Sequence, residues 1–331
     1  MAGRRQKKSG GRSYAWRYRG RIVACVFVEV IIICALVIMI GWNKGVKEWF
    51  EQFEQPVLKE VDISGINSPN AILMQVRGGK ILGEINGEAQ IYPASMTKIM
   101  TVILGIENFD DLDEKITLTN EMFSGLYEQD ATQAGFQPGE EVRVIDLLYG
   151  AMLPSGAECC IALADTISGS EADFAELMNK KARKLGMENT HFCDSTGLHN
   201  PDHYSTVKDI AVLMKYCIKN DTFREIVETS RHSTGVTNIH LDGITYYSTM
   251  FKNLSDPTVT GGKILGGKTG YTSEAGHCLV SFAEIEGREY IFVSAGASGA
   301  DGNTIPHIQD AVTVYNRVGA AIEEKMNNNN K

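Results

Sequence analysis

A serine and a lysine three positions apart are the residues in this sequence whose spacing most directly suggests chemistry. Ser95 precedes Lys98 in the stretch 92–101, where Pro93 and the apolar residues after it indicate the start of a helix. Residues i and i+3 lie on one face of a helix, so the Ser95 hydroxyl and the Lys98 amine are expected to meet. A serine becomes nucleophilic when a neighbouring base takes its proton, and a desolvated lysine is such a base. The pair therefore suggests nucleophilic catalysis.

Two further polar motifs follow along the chain. Ser155 lies in the stretch 153–158, at a predicted junction between a loop and a helix. Lys268 and Thr269 lie in the stretch 266–272, a predicted strand flanked by glycines. A serine three residues before a lysine is frequent by chance, but three such motifs in this order are a much more specific signal. A single site built from three distant segments is the resulting expectation.

Hydrophobic periodicity indicates the elements that must bring these motifs together. The early segments 71–77 and 80–85 form a predicted hairpin, and three later strands are predicted at 264–269, 278–284 and 290–294. Predicted helices occupy 142–152, 156–167, 173–185, 207–219 and 306–325. This order predicts an α/β (α+β) fold, with one antiparallel sheet, a separate helical lobe and a cleft where the motifs converge.

The amino-terminal region differs in charge and hydropathy from the rest of the chain. Residues 1–21 contain eight basic side chains and no acid, although the whole chain of 331 residues has a net charge of −9. The segment 22–41 then contains twenty residues with a single charge, Glu29. A helix of that length spans a bilayer core of about 30 Å, and a basic flank stays cytoplasmic. We therefore expect an uncleaved signal anchor, with the rest of the chain outside the cell.

Seven cysteines are distributed along the chain, five of them beyond residue 41. An odd number cannot form a complete set of disulfides, and no two cysteines have the spacing of a redox or zinc motif. Cys159 and Cys160 adjoin in a predicted apolar helix, where cysteine behaves as a small hydrophobic residue. Mostly free, buried thiols are expected.

With these motifs identified, the chain resembles the serine D-alanyl-D-alanine carboxypeptidases, the low-molecular-weight penicillin-binding proteins. The similarity is carried by the stretches 93–98, 137–139, 189–192, 196–198 and 267–276, and covers roughly residues 60–318. It implies a DD-peptidase/β-lactamase-like fold with a five-stranded antiparallel sheet flanked by helices. The expected organisation is a cytoplasmic arm (1–21), a transmembrane anchor (22–41), a stalk (42–59), the catalytic domain (60–318), and a helix end with a polar tail (319–331).

The resemblance also implies roles for the site residues. Ser95 would attack the carbonyl between two terminal D-alanines, Lys98 would take its proton, and Ser155 would relay a proton to the leaving amine. The backbone N–H groups of Ser95 and Tyr271 would form the oxyanion hole. The substrate-binding residues implied by the resemblance are Lys268, Thr269 and Gly270, with the lysine and the threonine holding the substrate's terminal carboxylate. Water would then hydrolyse the acyl-enzyme.

One position departs from the family pattern. The middle motif of the family is usually S-x-N, whereas Ala157 stands where the asparagine would be. That asparagine normally contacts the catalytic lysine and the substrate backbone. Either Lys98 is tuned differently in this chain, or Glu158 or a neighbouring group fills the gap. An alternative is a weakly active or inactive, membrane-anchored penicillin-binding module.

Two other enzyme classes, the β-lactamases and the zinc peptidases, would require different residues. A β-lactamase of the common class would carry an E-x-x-L-N carboxylate near residues 188–200, where the sequence shows no such pattern. A zinc peptidase would need ligands from the loop 191–203, which contains His191, Cys193, Asp194, His199 and His203. Asn200-Pro201 interrupts that loop and excludes a helical histidine pair. The expected partners are a stem peptide ending in D-Ala-D-Ala, β-lactam antibiotics and the membrane, with no metal, cofactor or nucleic acid.

Overall fold

The computed structural model describes residues 58–299 and 305–329. The basic arm, the predicted span 22–41 and all but the last two residues of the stalk lie outside the described residues. Across the described ranges, no helix is both long enough and apolar enough to cross a bilayer.

Two early strands, a group of helices, three long strands and a final helix follow one another as the sequence predicts, with additional short elements at residues 115–117 and 141–143 and between residues 221 and 259. Within the described ranges, the strands are β1 (Asn70–Gln75), β2 (Lys80–Ile85), β3 (Lys115–Thr117), β4 (Glu141–Arg143), β5 (Arg231–Ser233), β6 (Thr245–Tyr247), β7 (Thr258–Val259), β8 (Gly262–Thr272), β9 (Gly276–Ile285) and β10 (Arg288–Ala297). The α-helices there are α1 (Lys98–Asn108), α2 (Val144–Met152), α3 (Ala157–Ser168), α4 (Glu171–Leu185), α5 (Val207–Cys217), α6 (Asp221–Glu228), α7 (Thr249–Asn253) and α8 (Pro306–Asn329).

The main sheet is antiparallel and has the strand order β2-β1-β10-β9-β8-β7. The expectation of five strands was therefore wrong by one, because β7, only two residues long, pairs with β8 at the sheet edge. The three predicted late strands are confirmed, and each extends further at both ends than its periodicity indicated. Two small hairpins, β3/β4 and β5/β6, form separate sheets outside this one.

Side chains alternate between the two faces of the central strands, and a different apolar core covers each face. In β1, Ile72 and Met74 pack with the helices of the lobe, whereas Ala71 and Leu73 pack on the side of α8. On that side, the buried Tyr315 hydroxyl of α8 accepts the backbone N–H of Phe292 at 3.0 Å. One face of the sheet therefore packs against the helical lobe, and the other packs against the carboxy-terminal helix α8.

The loop between α4 and α5 is anchored at both ends. α4 ends at Gly186, which adopts the left-handed conformation of a helix C-cap. α5 begins after Thr206, whose hydroxyl accepts the backbone N–H of Asp209. The loop 187–206 thus leaves one well-terminated helix and enters another, which restricts where its central residues lie.

The cysteines that the structure describes are all free, as expected from their odd number. Four of them, Cys159, Cys160, Cys217 and Cys278, are buried. Burial raises the pKa of Cys160 and of Cys278 to about 12, so these thiols stay protonated and behave as apolar core groups.

The Asp310 carboxylate joins α8 to the segment before β1, which generates a stability prediction. Its oxygens accept the backbone N–H and side-chain amide of Asn67, and the backbone N–H and hydroxyl of Ser68, at 2.6–2.9 Å. Asp310→Ala leaves these donors without an acceptor, so we expect the free energy of unfolding to fall by about 3 kcal/mol. Urea unfolding measures the change, with Glu323→Ala on the exposed side of α8 as control. Equal effects of the two substitutions would contradict the assignment.

Candidate active site

The Ser95 hydroxyl and the Lys98 amine meet as predicted, but in a tighter turn than an α-helix. Ser95 lies in a 3-10 turn, Ala94–Thr97, and α1 begins only at Lys98. Side chains at i and i+3 eclipse one another in a 3-10 turn, which favours close contact between them. The Lys98 Nζ atom lies 3.0 Å from Ser95 Oγ, and the lysine side chain is buried. The geometry permits direct proton transfer from the hydroxyl to a neutral amine.

The other two motifs converge on the same hydroxyl. Ser155 Oγ lies 3.0 Å from Ser95 Oγ, and Lys268 Nζ donates to Ser155 Oγ at 3.0 Å. Lys268 also donates to the carbonyl oxygen of Thr269 at 2.8 Å. The three distant motifs therefore form one continuous chain of polar contacts. Ser155 has a φ of 74°, a conformation that costs free energy for a residue with a side chain and that occurs often at functional sites.

Strand β8 approaches the nucleophile through its backbone. A Cβ atom on Gly270 would lie 3.0 Å from the backbone nitrogen of Ser95 and 3.1 Å from the Cβ of Ala94. A side chain at this position would therefore make tight contacts, and a glycine lets the strand pass close to the turn without them. The neighbouring Tyr271 has an exposed side chain, and its backbone N–H remains the predicted second donor of an oxyanion hole. The Thr269 hydroxyl is held by the Thr249 hydroxyl at 2.7 Å.

Both site lysines are buried, and burial favours the neutral form of each amine. Burial lowers the pKa of Lys98, although the nearby Cys160, Asp194 and Glu158 act in the opposite direction. Burial lowers the pKa of Lys268 well below its usual range, and the positive charge of Lys98 lowers it further. A neutral amine at Lys98 is the form that accepts a proton, so the site favours the state that catalysis requires.

The group beside Lys98 is a main-chain carbonyl. Lys98 Nζ donates to the carbonyl oxygen of Thr196 at 2.6 Å. Glu158, which the sequence left as a candidate for this place, points instead to the backbone N–H groups of Ala134 and Gly135, at 2.6 and 2.9 Å. Ala157 is buried at the start of α3. The second acceptor beside the lysine thus comes from the loop 187–206.

The three histidines of this loop each contact a different group. In order, the ring contacts are His191 Nδ1 with the Asp202 carbonyl at 2.6 Å, His199 Nδ1 with Glu274 at 3.8 Å, and His203 Nδ1 with Asp194 at 3.1 Å. Sequence reasoning considered Asp194 and His203 only as metal ligands and assigned no role to Thr196 or Thr249. The available signal was the density of hydrogen-bonding side chains in one loop, which does not by itself identify their partners.

Comparison with known proteins shows which family has a sequence like this one. A family profile described as D-alanyl-D-alanine carboxypeptidase matches residues 57–299. The chain is 35% identical over 231 residues to the D-alanyl-D-alanine carboxypeptidase DacF of Bacillus subtilis, covering 69% of this chain and 57% of that protein. It is also 35% identical over 236 residues to a Streptomyces D-alanyl-D-alanine carboxypeptidase, covering 69% of this chain and 78% of that one.

The fold agrees with this relationship. The crystal structure of a Streptomyces DD-transpeptidase superposes with a TM-score of 0.70 at 29% identity, covering 79% of this chain and 100% of the other. The chain spans 57–60% of the length of the first three curated relatives it matches. The protein is thus a DD-peptidase in fold, and it belongs to the D-alanyl-D-alanine carboxypeptidase family.

The contact of Gly197 with the nucleophile turn generates the second prediction. Gly197 has a φ of 81°, and a Cβ atom there would lie 1.9 Å from the carbonyl oxygen of Ala94. Gly186 has a similar φ of 78° but open space around its Cβ position. Both glycine-to-alanine changes impose backbone strain of about 1–3 kcal/mol, but only Gly197→Ala displaces the loop from Ser95.

Acylation by a fluorescent penicillin and thermal unfolding separate these effects. We expect Gly197→Ala to slow acylation at least tenfold, and Gly186→Ala to affect only the unfolding temperature. Equal acylation rates for the two variants would show that the close approach does not matter.

Proposed function

We propose that the protein is a serine-type D-Ala-D-Ala carboxypeptidase that removes the terminal D-alanine from peptidoglycan stem pentapeptides. The observation that carries this proposal is the chain of contacts from Lys98 through Ser95 and Ser155 to Lys268, each 3.0 Å long. A nucleophile with a base on one side and a proton relay on the other is the arrangement that acyl transfer needs. The names of the relatives point to the same reaction.

In the acylation step, the Ser95 oxygen attacks the carbonyl carbon of the penultimate D-alanine while Lys98 takes the hydroxyl proton. The oxygen of the resulting tetrahedral intermediate accepts hydrogen bonds from the backbone N–H groups of Ser95 and Tyr271, of which one donor is typically worth about 10²–10³ in rate. The C–N bond then breaks, Ser155 gives its hydroxyl proton to the leaving amine, and the proton that Lys98 took from Ser95 returns to Ser155, which leaves both groups in their starting forms. An ester between Ser95 and the shortened peptide remains.

In the second step, water adds to the ester, Ser95 regains its proton and the shortened peptide leaves. The terminal carboxylate of the substrate is held at Lys268 and Thr269 during acylation. A carboxylate beside the Lys268 amine raises its pKa from the lowered value in the free site, so binding makes this lysine a cation. Selectivity for a free carboxyl end follows, because an amidated end carries no negative charge to stabilise the protonated form of the buried Lys268 amine.

Ala157 favours a second candidate, a penicillin-binding module that acylates but turns over slowly. The asparagine that is missing would contact the substrate backbone, and the Thr196 carbonyl beside Lys98 supplies no group for that contact. Release of D-alanine from a pentapeptide distinguishes turnover from trapping, and hydrolysis of a β-lactam would indicate a β-lactamase instead.

Ser95→Ala tests the nucleophile in the full chain purified in detergent. We expect D-alanine release and labelling by a fluorescent penicillin to fall at least 10³-fold, since no other hydroxyl occupies this position. Ser255→Ala, in an exposed loop, is the matched control and should leave both activities unchanged. If the wild-type chain releases no D-alanine, or releases it as fast with Ser95→Ala, the carboxypeptidase assignment is wrong.

The same proposal includes a place for the enzyme in the cell. We infer that residues 22–41 anchor the chain in the membrane and that residues 60–318 act outside the cell, on the stalk 42–59. The apolar length of the segment and its basic flank support this topology. The chain should stay with membranes during alkaline carbonate extraction and be digested by protease added to intact spheroplasts. Release by carbonate, or protection from the protease, would contradict it.

A further inference from the structure

The carbonyl group that contacts Lys98 belongs to a peptide unit whose other end is held by a carboxylate. The peptide between Thr196 and Gly197 carries both groups, and in a trans peptide the C=O and N–H bonds point in opposite directions. The Thr196 oxygen receives the Lys98 amine at 2.6 Å, while the Gly197 N–H donates to Asp194 Oδ1 at 2.6 Å. Asp194 therefore determines the orientation of the acceptor beside the lysine.

Two more donors fix this carboxylate oxygen in place. The backbone N–H and the hydroxyl of Thr196 donate to Asp194 Oδ1 at 2.7 and 2.8 Å. Burial alone would raise the pKa of Asp194, but the hydrogen bond and the charge interaction with His203, together with hydrogen bonds from Thr196 and Gly197, outweigh it and hold the pKa at about 2. The group is consequently a fixed anion across the pH range in which the enzyme works.

A second set of contacts, here called the Thr97 arm, links Asp194 through His203 to the turn that carries the nucleophile. Its other oxygen, Oδ2, lies 3.1 Å from His203 Nδ1, and His203 Nε2 lies 2.9 Å from the Thr97 hydroxyl. His203 is buried, and its two ring nitrogens contact the Asp194 carboxylate and the Thr97 hydroxyl, while the backbone N–H of Cys193 lies 3.3 Å from Nδ1. Thr97 lies between Ser95 and Lys98 in the sequence. The pair thus contacts both the base's acceptor and the turn that carries the nucleophile.

We propose that Asp194 and His203 act together as positioning residues for the Ser95–Lys98 pair. Asp194 orients the Thr196 carbonyl towards the lysine amine, and His203 fixes the position of Thr97 in the turn that carries Ser95. The hydrogen bonds of these two side chains run to Thr97, Cys193, Thr196, Gly197 and each other, and not to the Ser95 hydroxyl or the Lys98 amine. This inference rests on the proposed acyl transfer at Ser95, and it assigns a role to a loop that the three catalytic motifs do not include.

The charge of Asp194 also affects the pH dependence of acylation, which a purely structural role of Asp194 and His203 would leave unchanged. The ionisable groups that influence Lys98 include Cys159, Cys160, Glu158 and Asp194, and Lys268 lies beyond the two serines. The buried thiols are protonated, so Asp194 is a fixed negative neighbour that raises the pKa of the amine. Its removal lowers that pKa, which moves the acidic limb of the acylation pH profile to lower pH. The orientation of the peptide is a separate contribution and sets the plateau rate.

Asp194→Asn and Asp194→Ala separate these contributions in the full chain. Asparagine removes the charge but keeps one acceptor oxygen, whereas alanine removes both. The acylation rate with a fluorescent penicillin is measured from pH 4 to 10, together with the unfolding temperature. We expect both variants to shift the acidic midpoint downward, and the plateau to fall severalfold with asparagine and about 10–100-fold with alanine, part of what a general base contributes.

Asp209→Asn is the matched control, because Asp209 is another buried carboxylate of the same lobe. It accepts the Thr190 hydroxyl and the Asn189 N–H at 2.7 and 3.0 Å, away from Lys98. The control should lower the unfolding temperature while keeping the wild-type midpoint and plateau. If both Asp194 variants also keep the wild-type midpoint and plateau, the proposal is wrong.

The Thr97 arm gives an independent test should the Asp194 variants fail to fold. Thr97→Val keeps the side-chain shape and removes the hydroxyl that His203 contacts, whereas Thr97→Ser keeps the hydroxyl. Acylation should be at least fivefold slower with valine than with serine, and equal rates would overturn the inference. A wild-type chain that is not acylated at all would instead refute the proposed function, so the two failures are distinguishable.

Discussion

Two lysine amines buried around two serine hydroxyls are the arrangement on which the rest of this structure depends. The contacts of Lys98 and Lys268 are hydroxyl and carbonyl oxygens, which satisfy hydrogen bonds but do not neutralise two positive charges. Burial and mutual repulsion therefore favour a state in which at least one amine is neutral. An anionic substrate end beside Lys268 stabilises a positive charge on that amine, and the resulting Lys268 cation disfavours protonation of Lys98. Substrate binding thus assigns the two lysines to different tasks, one as a cation and one as a base.

This arrangement needs close packing of main chain, which explains the backbone features around the nucleophile. Gly197 from the loop approaches the turn that carries Ser95 more closely than any residue with a Cβ atom allows, and a Cβ atom on Gly270 of the sheet would make tight contacts with the same turn. Ala94 and Ser155 adopt positive φ values of 47° and 74°. Such conformations persist when the surrounding structure holds them, and here two apolar cores on opposite faces of one sheet provide the support.

The sequence predicted the parts of this site that depend on local spacing. The contact between Ser95 and Lys98 follows from a three-residue separation, and the late strands follow from their apolar runs. The strand pairs β3/β4 and β5/β6 and the helix α7 were missed, because each of these elements is only three to five residues long. The eight-residue helix α6 was missed although its buried residues Phe223, Ile226 and Val227 have helical spacing. The contact between Lys98 and Thr196 was not predictable, because a main-chain oxygen carries no side-chain signal and the two residues lie 98 positions apart.

The replacement of an asparagine by Ala157 also has a consequence for how this site is controlled. A side-chain amide beside a catalytic lysine is lost by one substitution, whereas a carbonyl oxygen is retained whatever residue occupies position 196. The orientation of the peptide between Thr196 and Gly197 can still vary, and it depends on the group that accepts the Gly197 N–H. Because this acceptor is the partly buried carboxylate of Asp194, the proposed control of the lysine lies in the loop after α4. The chemistry of the three motifs is therefore inseparable from a fourth segment, whose residue types show hydrogen-bonding capacity but not their partner.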